Sequence, residues 1–447
     1  MDREARVSSI AEGQRVRHWM PWWAWLALAG VVVVTVLALG YWGPSGERVN
    51  GPLVQQAYVW QRVWTDSVRS GVERAGGRLD ELAIWSAEVE WDQRTPRLAR
   101  GHVDYAYLKS LDVPIGLVLR IGPYAGPFAE IGEPVDALAE LADDLLQKAA
   151  ATGISVCEMQ LDFDCATSKL DGYRCWVSAV RRRIAPTPLV ITALPSWLSS
   201  SAFQRLAAAT DGFVLQVHSL ERPRGPDRPM TLCDPAAARR AVEKAGRVGV
   251  PFRVALATYG YFVAFDQRGQ LLGLQAEGPS LTWPADAQVR ALRADPVATA
   301  ELVRGWSADR PATMRGLIWY RLPTDADTLN WRWPTLVAVM EGRVPQGKIE
   351  VDVHHPEPGL IELDLLNTGE ADAALPAAVT VAWGASRLVA SDALAGVELE
   401  EAGAGQVRFR PVSETEIQAI AAGQRRPLGW LRFDGDTEVE VHVTPAP

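Results

Sequence analysis

The sequence is short of the residues that hold metals and build disulfide scaffolds. Its 447 residues include four cysteines and six histidines. No Cys/His run has zinc spacing, and no HExxH, GxSxG or phosphate-loop pattern occurs, so neither a metal site nor a cofactor is expected. Positive charge is also scarce. The net charge is −9 and no basic tract is present, which argues against a nucleic-acid partner. Disorder is excluded by composition, with 48% apolar and 22% charged residues. The chain is too long for one ordinary domain.

A long uncharged apolar run occurs near the start. Trp22 to Trp42 reads WWAWLALAGVVVVTVLALGYW. A helix of that length spans ~31 Å, close to the ~30 Å hydrocarbon thickness. Trp22, Trp23, Trp25, Tyr41 and Trp42 sit at its two ends, as in an aromatic belt. Arg3, Arg6, Arg15 and Arg17 precede it, and the next positive charges are Arg48 and Arg62. The positive-inside rule then predicts a cytoplasmic tail over 1–21, a transmembrane anchor over 22–42 and a linker over 43–54. A cleaved signal peptide, cut near Ala38-Leu39-Gly40, is the competing reading. Both export the body of the protein, so the expected location is the periplasmic face of a bacterial inner membrane.

Beyond the linker, apolar runs alternate with amphipathic stretches. Eight strand candidates begin near Ala57, Leu82, Pro114, Ser155, Pro188, Gly212, Phe252 and Arg315. Helical spacing and caps mark Val135 to Gly153 and Asp234 to Gly249. That alternation predicts a (β/α)₈ barrel over 55–345. Phe262 to Pro279 reads as a hairpin inserted between strands seven and eight. From 346 to 447 the pattern switches to short period-two strands, which predicts a C-terminal β-sandwich. The adjacent His354 and His355 point to opposite strand faces, so a metal role there is not expected.

Alternate barrel residues point inward. On strand four, in EMQLDFD, Gln160, Asp162 and Asp164 share the inward parity, with Asp164 nearest the rim. Inward parity on strand two gives Ser86, Glu88 and Glu90, with Trp85, Ala87 and Val89 outward. Arg120 follows on strand three, Gln216 and His218 on strand six. Glu221 lies in the loop after strand six. Trp197, Tyr259, Tyr261 and Tyr320 are aromatic candidates for stacking on sugar faces. Clustered carboxylates drive one another's pKa values apart and leave one protonated, as acid/base chemistry on a glycosidic bond needs. Asp164 and Glu90 are the expected catalytic pair, with Asp162 and Glu88 in support and Arg120 and His218 as binding or orienting groups. Asp162 on its own is as readily half of a structural ion pair with Arg120. In an oxidising compartment Cys165 and Cys233, both on loops of the C-terminal face, are expected to bridge. Cys157 is expected to point outward, near Cys175.

Together YVWQRVWT, LDFDC, ITALPSWL, VLQVHSLE, LCDP, VALATYGY and GLIWYRLP resemble a bacterial family, domain of unknown function 3142, over roughly Tyr58 to Val344. The resemblance implies a glycoside-hydrolase-type barrel and carries no activity with it. Asp162-Phe163-Asp164 is also similar to the DxDxE motif of chitinase-type barrels. There a glutamate acts as general acid where this chain has Ala166, so the substrate-assisted chitinase mechanism is not expected. The function expected is hydrolysis of an envelope or extracellular polysaccharide. A non-catalytic glycan-binding or envelope-assembly protein on the same scaffold is the alternative.

Overall fold

The computed structural model describes residues 46–446 apart from 93–94, 125, 130, 221–222, 278–281, 395 and 413–418. The expected anchor at Trp22–Trp42 lies outside the described residues. Among the described residues, no helix is long and apolar enough to cross a membrane.

Eight parallel strands close on themselves. They are β1 (Val54–Val59), β2 (Glu81–Asp92), β3 (Ile115–Ile121), β4 (Val156–Phe163), β5 (Leu189–Ala193), β6 (Gly212–Gln216), β7 (Phe252–Ala257) and β8 (Met314–Tyr320). A helix follows each strand: α1 (Asp66–Ala75), α2 (Tyr105–Lys109), α3 (Val135–Ala151), α4 (Leu170–Ile184), α5 (Ser201–Ala207), α6 (Pro235–Gly246), α7 (Pro296–Ala308) and α8 (Trp333–Met340). This is the (β/α)₈ barrel that the strand–helix alternation predicts.

Local chemistry explains the helix starts. The Asp234 and Asp295 carboxylates cap α6 and α7 by accepting from the second and third backbone N–H groups, and each is followed by proline. Such a cap contributes about 1 kcal/mol. On α3, Leu138, Leu141, Ala142, Leu145 and Ala149 recur at helical spacing and are buried against the sheet. They meet the outward side chains of the strands, among them Leu117, Leu119, Met159, Leu161 and Phe163, in one hydrophobic core.

The barrel interior is layered. Its middle layer is mostly apolar: Tyr58, Ala83, Val118, Val190, Val214, Ala255 and Ile318. Below lies a buried polar plug. The Arg253 guanidinium donates to Gln56 Oε1 at 2.7 Å and to both Glu158 oxygens at 2.7 and 2.9 Å. Gln56 Nε2 donates to Glu81 Oε2 at 2.8 Å. Glu158 also accepts from Gln160 Nε2 at 2.6 Å, and Gln160 Oε1 accepts from the Tyr58 hydroxyl at 2.8 Å. A side chain at Gly116 would collide with the Glu81 carboxyl, so only glycine leaves that carboxyl its space. Burial, and then the charge of Glu158, push Glu81 up to about 8, with Arg253 opposing.

Two strand irregularities alter the expected facing. A bulge between Trp85 and Ala87 pairs Trp85 with the inward Val118, so Trp85 faces in, not out as simple alternation predicts. A second bulge around Cys157 turns that cysteine toward Glu81 rather than into the helix layer.

After β7 the chain makes a three-stranded antiparallel sheet, with Gly260–Phe265 between Leu271–Gln275 and Gln288–Arg293. The expected hairpin is there, with a third strand beside it. Beyond α8, two four-stranded antiparallel sheets stack into a sandwich. Ile361, Leu363 and Leu365 of one face Val379, Val381 and Phe409 of the other in a core of their own.

Candidate active site at the barrel mouth

The C-terminal ends of β2, β3 and β4 carry the charged half of the mouth. Register places Arg120 between Glu88 and Asp162 on the neighbouring strands. The guanidinium meets Asp162 Oδ2 at 2.6 Å and Glu88 Oε1 at 3.3 Å. Asp162 is only 3% exposed. Its other oxygen accepts from Thr192 Oγ1 at 2.9 Å and from Gln216 Nε2 at 3.2 Å. A carboxylate buried this deeply persists because both of its oxygens are hydrogen-bonded, one of them to a cation. Glu88 is held a second time, by Arg62 at 2.5 Å, whose guanidinium lies 4.8 Å over the Trp85 ring. Glu88 and Asp162 are therefore spoken for by cations.

Asp164 and Glu90 are not. Both are exposed at the rim, with no ion pair among the described residues. Ile121 pairs with Val89 on one side and Phe163 on the other. The next residue of each strand thus sets Glu90, Gly122 and Asp164 side by side. A Cβ at Gly122 would run into Glu90 Cγ, so the glutamate stem lies across the space that glycine leaves. The Asp164 carboxyl is raised above its ordinary value, first by desolvation, then by the charge of Asp162, with Arg120 opposing.

The other half of the mouth is aromatic. Tyr320, at the end of β8, packs edge-on to Tyr58, Trp60 and Tyr259 with ring centroids 5.9, 5.2 and 5.5 Å away. His218 stacks on Tyr320 at 5.4 Å and 18°, and its Nδ1 lies 3.4 Å from the Tyr259 hydroxyl. Burial holds the imidazole neutral, with its pKa lowered to about 4. The mouth thus carries carboxylates on one side and aromatic rings on the other.

The structure gathers Asp162, Asp164, Glu88, Glu90, Arg120, Gln216, His218 and Tyr320 around one opening. It does not bring in Trp197, which is 1% exposed beneath the rim with Nε1 donating to the Cys165 carbonyl at 3.1 Å. The short 3₁₀ turn Pro195–Trp197 folds that ring inward, so it is no stacking platform. Tyr259 is mostly buried against His218, Tyr261 and Tyr320 and serves as backing for the aromatic wall. Glu221 lies outside the described residues. The expected Cys165–Cys233 bridge is not formed, and both thiols are free. Cys165 packs in the core beside Trp197, while Cys233 lines cavities in the loops around α6. Sequence reasoning missed Trp60. It follows Tyr58 at the same inward parity, which is the signal that finds it. Among the described residues, no group of three or more His, Cys, Asp or Glu side chains is placed to hold a metal ion.

Residues 131–325 match the family described as Domain of unknown function (DUF3142). The DUF3142 match runs from just before α3 to just past β8, taking in Asp162, Asp164, Gln216, His218 and Tyr320. Glu88, Glu90 and Arg120 precede it, so the match is narrower than the resemblance read across the whole barrel. Residues 350–434, in the sandwich, match a second family, Domain of unknown function (DUF8456). No curated protein matches the chain. Among solved structures, the chain is similar to the Bacillus cereus spore cortex-lytic enzyme SleL, with 14% identity, 66% of this chain and 75% of that chain covered, and a TM-score of 0.47. It is similar to the C-terminal domain of a putative chitinase from Desulfitobacterium hafniense DCB-2, at 11% identity, 65% and 99% coverage and a TM-score of 0.48. It is also similar to a chitinase from Chromobacterium violaceum ATCC 12472, at 12% identity, 65% and 98% coverage and a TM-score of 0.44. Likeness at this level does not carry their activities to this chain.

Proposed function

We propose that the protein is a glycoside hydrolase acting on an envelope or extracellular polysaccharide, with Asp164 as general acid and Glu90 as the second carboxylate. The observation that carries this reading is the pair of unpaired rim carboxylates flanking Gly122, opposite an aromatic wall. Asp164, its pKa raised by desolvation and by Asp162, is the carboxyl proposed to give a proton to the leaving glycosidic oxygen. Two strand spacings separate the two backbones, ~9.6 Å. The Glu90 stem leans over Gly122 toward Asp164, so the carboxyl groups stand closer than the backbones, and the proposed route is inversion, with water entering between them. Glu90 then takes a proton from that water as it attacks the anomeric carbon. Tyr320 and Trp60 offer faces for the sugar rings, and neutral His218 offers a hydrogen bond. Arg120 acts through Asp162, fixing the floor under Asp164.

The protein is further proposed to be held at the inner membrane by Trp22–Trp42, with barrel and sandwich in the periplasm. The apolar run and the arginine bias before it support that location. A periplasm-dependent reporter fused after Pro447 should be active; activity only of a cytoplasmic reporter would reject it.

The test of the chemistry is a screen of the purified full chain against cell-envelope and exopolysaccharide fragments, read by reducing-end release and by the anomer first formed. Release that is lost in both Asp164→Asn and Glu90→Gln supports the reading. Tight glycan binding without release on any fragment would replace it with the non-catalytic glycan-binding alternative.

A further inference from the structure

A groove of about 810 Å³ opens beside the mouth, between the loops that follow β5 and β6. Pro195, Val217, Ser219, Arg224, Arg228 and Asp234 are among its walls. It adjoins the aromatic wall directly. Val217 and Ser219 line the groove, while His218 between them turns to stack on Tyr320.

The charge in this groove is unlike that of the molecule. The chain as a whole is at −9, and many of its arginines are tied to carboxylates. Arg224 and Arg228 are exposed and make no ion pair or hydrogen bond with any described residue. Among the described lining residues the one carboxylate is Asp234, and it is already engaged. It accepts from the backbone N–H groups of Ala236 at 2.8 Å and Ala237 at 3.0 Å as the cap of α6. Two guanidinium groups therefore line an open cavity in which the described walls offer no free carboxylate to neutralise them.

We propose that this groove is an anion subsite: the glycan crossing the mouth carries a carboxylate or phosphate substituent, and Arg224 with Arg228 binds it. A guanidinium presents paired N–H donors that match the two oxygens of either group. The inference rests on the mouth being a glycan site. It narrows the substrate class to acidic polysaccharides, and binding tests it independently of turnover.

The experiment measures affinity of the full chain for three polymers: polygalacturonate as the carboxylate probe, poly(glycerol phosphate) as the phosphate probe, and neutral galactan. Wild type is compared with Arg224→Gln/Arg228→Gln and with a charge-matched control, Arg239→Gln/Arg247→Gln, both exposed on or just after α6. The expected result is preference for one acidic polymer, weakened at least about tenfold in the groove variant and unchanged in the control. Which acidic polymer is preferred decides between carboxylate and phosphate. Equal affinity for all three polymers, or equal losses in the two double variants, would overturn the subsite. Arg-dependent acidic binding by a protein that releases no reducing ends from any fragment of the envelope and exopolysaccharide screen would sink the hydrolase reading and leave the subsite standing.

Discussion

Arg120 and Asp162 stand opposite each other on neighbouring strands, their side chains 2.6 Å apart, and both aspartate oxygens are hydrogen-bonded. That relationship separates the two aspartates of LDFD. Asp162 is structural support, and Asp164, one step higher, is free.

Asp162→Asn is expected to destabilise the barrel. Breaking a buried pair costs ~3–5 kcal/mol, and partial exposure of Arg120 places the loss near the lower end, about 3 kcal/mol. Thermal unfolding should show a clear drop in Tm. A Tm within a degree of wild type would mean that the pair contributes nothing.

Asp164→Asn should leave Tm nearly unchanged, because a rim amide stays solvated. Reducing-end release should fall by two or more orders of magnitude, as expected for loss of a general acid. Unfolding of this variant with full activity per folded molecule would make the carboxylate structural.

Glu81 gives the fold a pH dependence of unusual sign. Its folded pKa, about 8, lies above the ordinary carboxylate value of 4.5. Between those limits the folded state holds a proton that the unfolded chain has lost. Its contribution to stability is therefore complete below about pH 4.5, falls as pH rises, and is gone above about pH 8. Glu81→Gln keeps the neutral form at every pH. Denaturant midpoints taken from pH 5 to 9 should decline in wild type and stay flatter in the variant; identical slopes would reject the assignment.

His218 adds the opposite trend at lower pH. Its pKa is lowered to about 4, so between about 6.5 and 4 the unfolded chain binds the extra proton and stability falls as pH falls. Proton NMR of the imidazole should show no titration above about pH 5. A midpoint near 6.5 would place His218 in open water.

Much of this was legible in the sequence, and the gaps have physical causes. Strand four illustrates the success: strict alternation around Asp162 holds because β4 runs regularly from Glu158 to Phe163 between regular neighbours. Trp85 and Cys157 illustrate the failure. One extra residue in a strand reverses the facing of what precedes it, and neither Trp85-Ser86 nor Cys157 advertises a bulge by glycine or proline. Trp197 was misread because a single 3₁₀ turn decides whether a loop tryptophan faces water or core. The plug of Gln56, Glu81, Glu158 and Arg253 was invisible because it joins four strands far apart in the chain. A shared face of the barrel was not enough to pair Cys165 with Cys233: Cys165 is buried in the core beside Trp197, and both thiols are free.

The plug has a consequence at the other end of the barrel. With Glu81 protonated, Arg253 and Glu158 cancel. Above them, Arg120 and Arg62 cancel Asp162 and Glu88. The column of charge through the barrel thus sums to nothing until it reaches Glu90 and Asp164. At the carboxylate wall of the mouth, those two side chains are the charges left uncompensated, so a cationic sugar mimic is the molecule whose affinity should fall most when both are replaced by their amides.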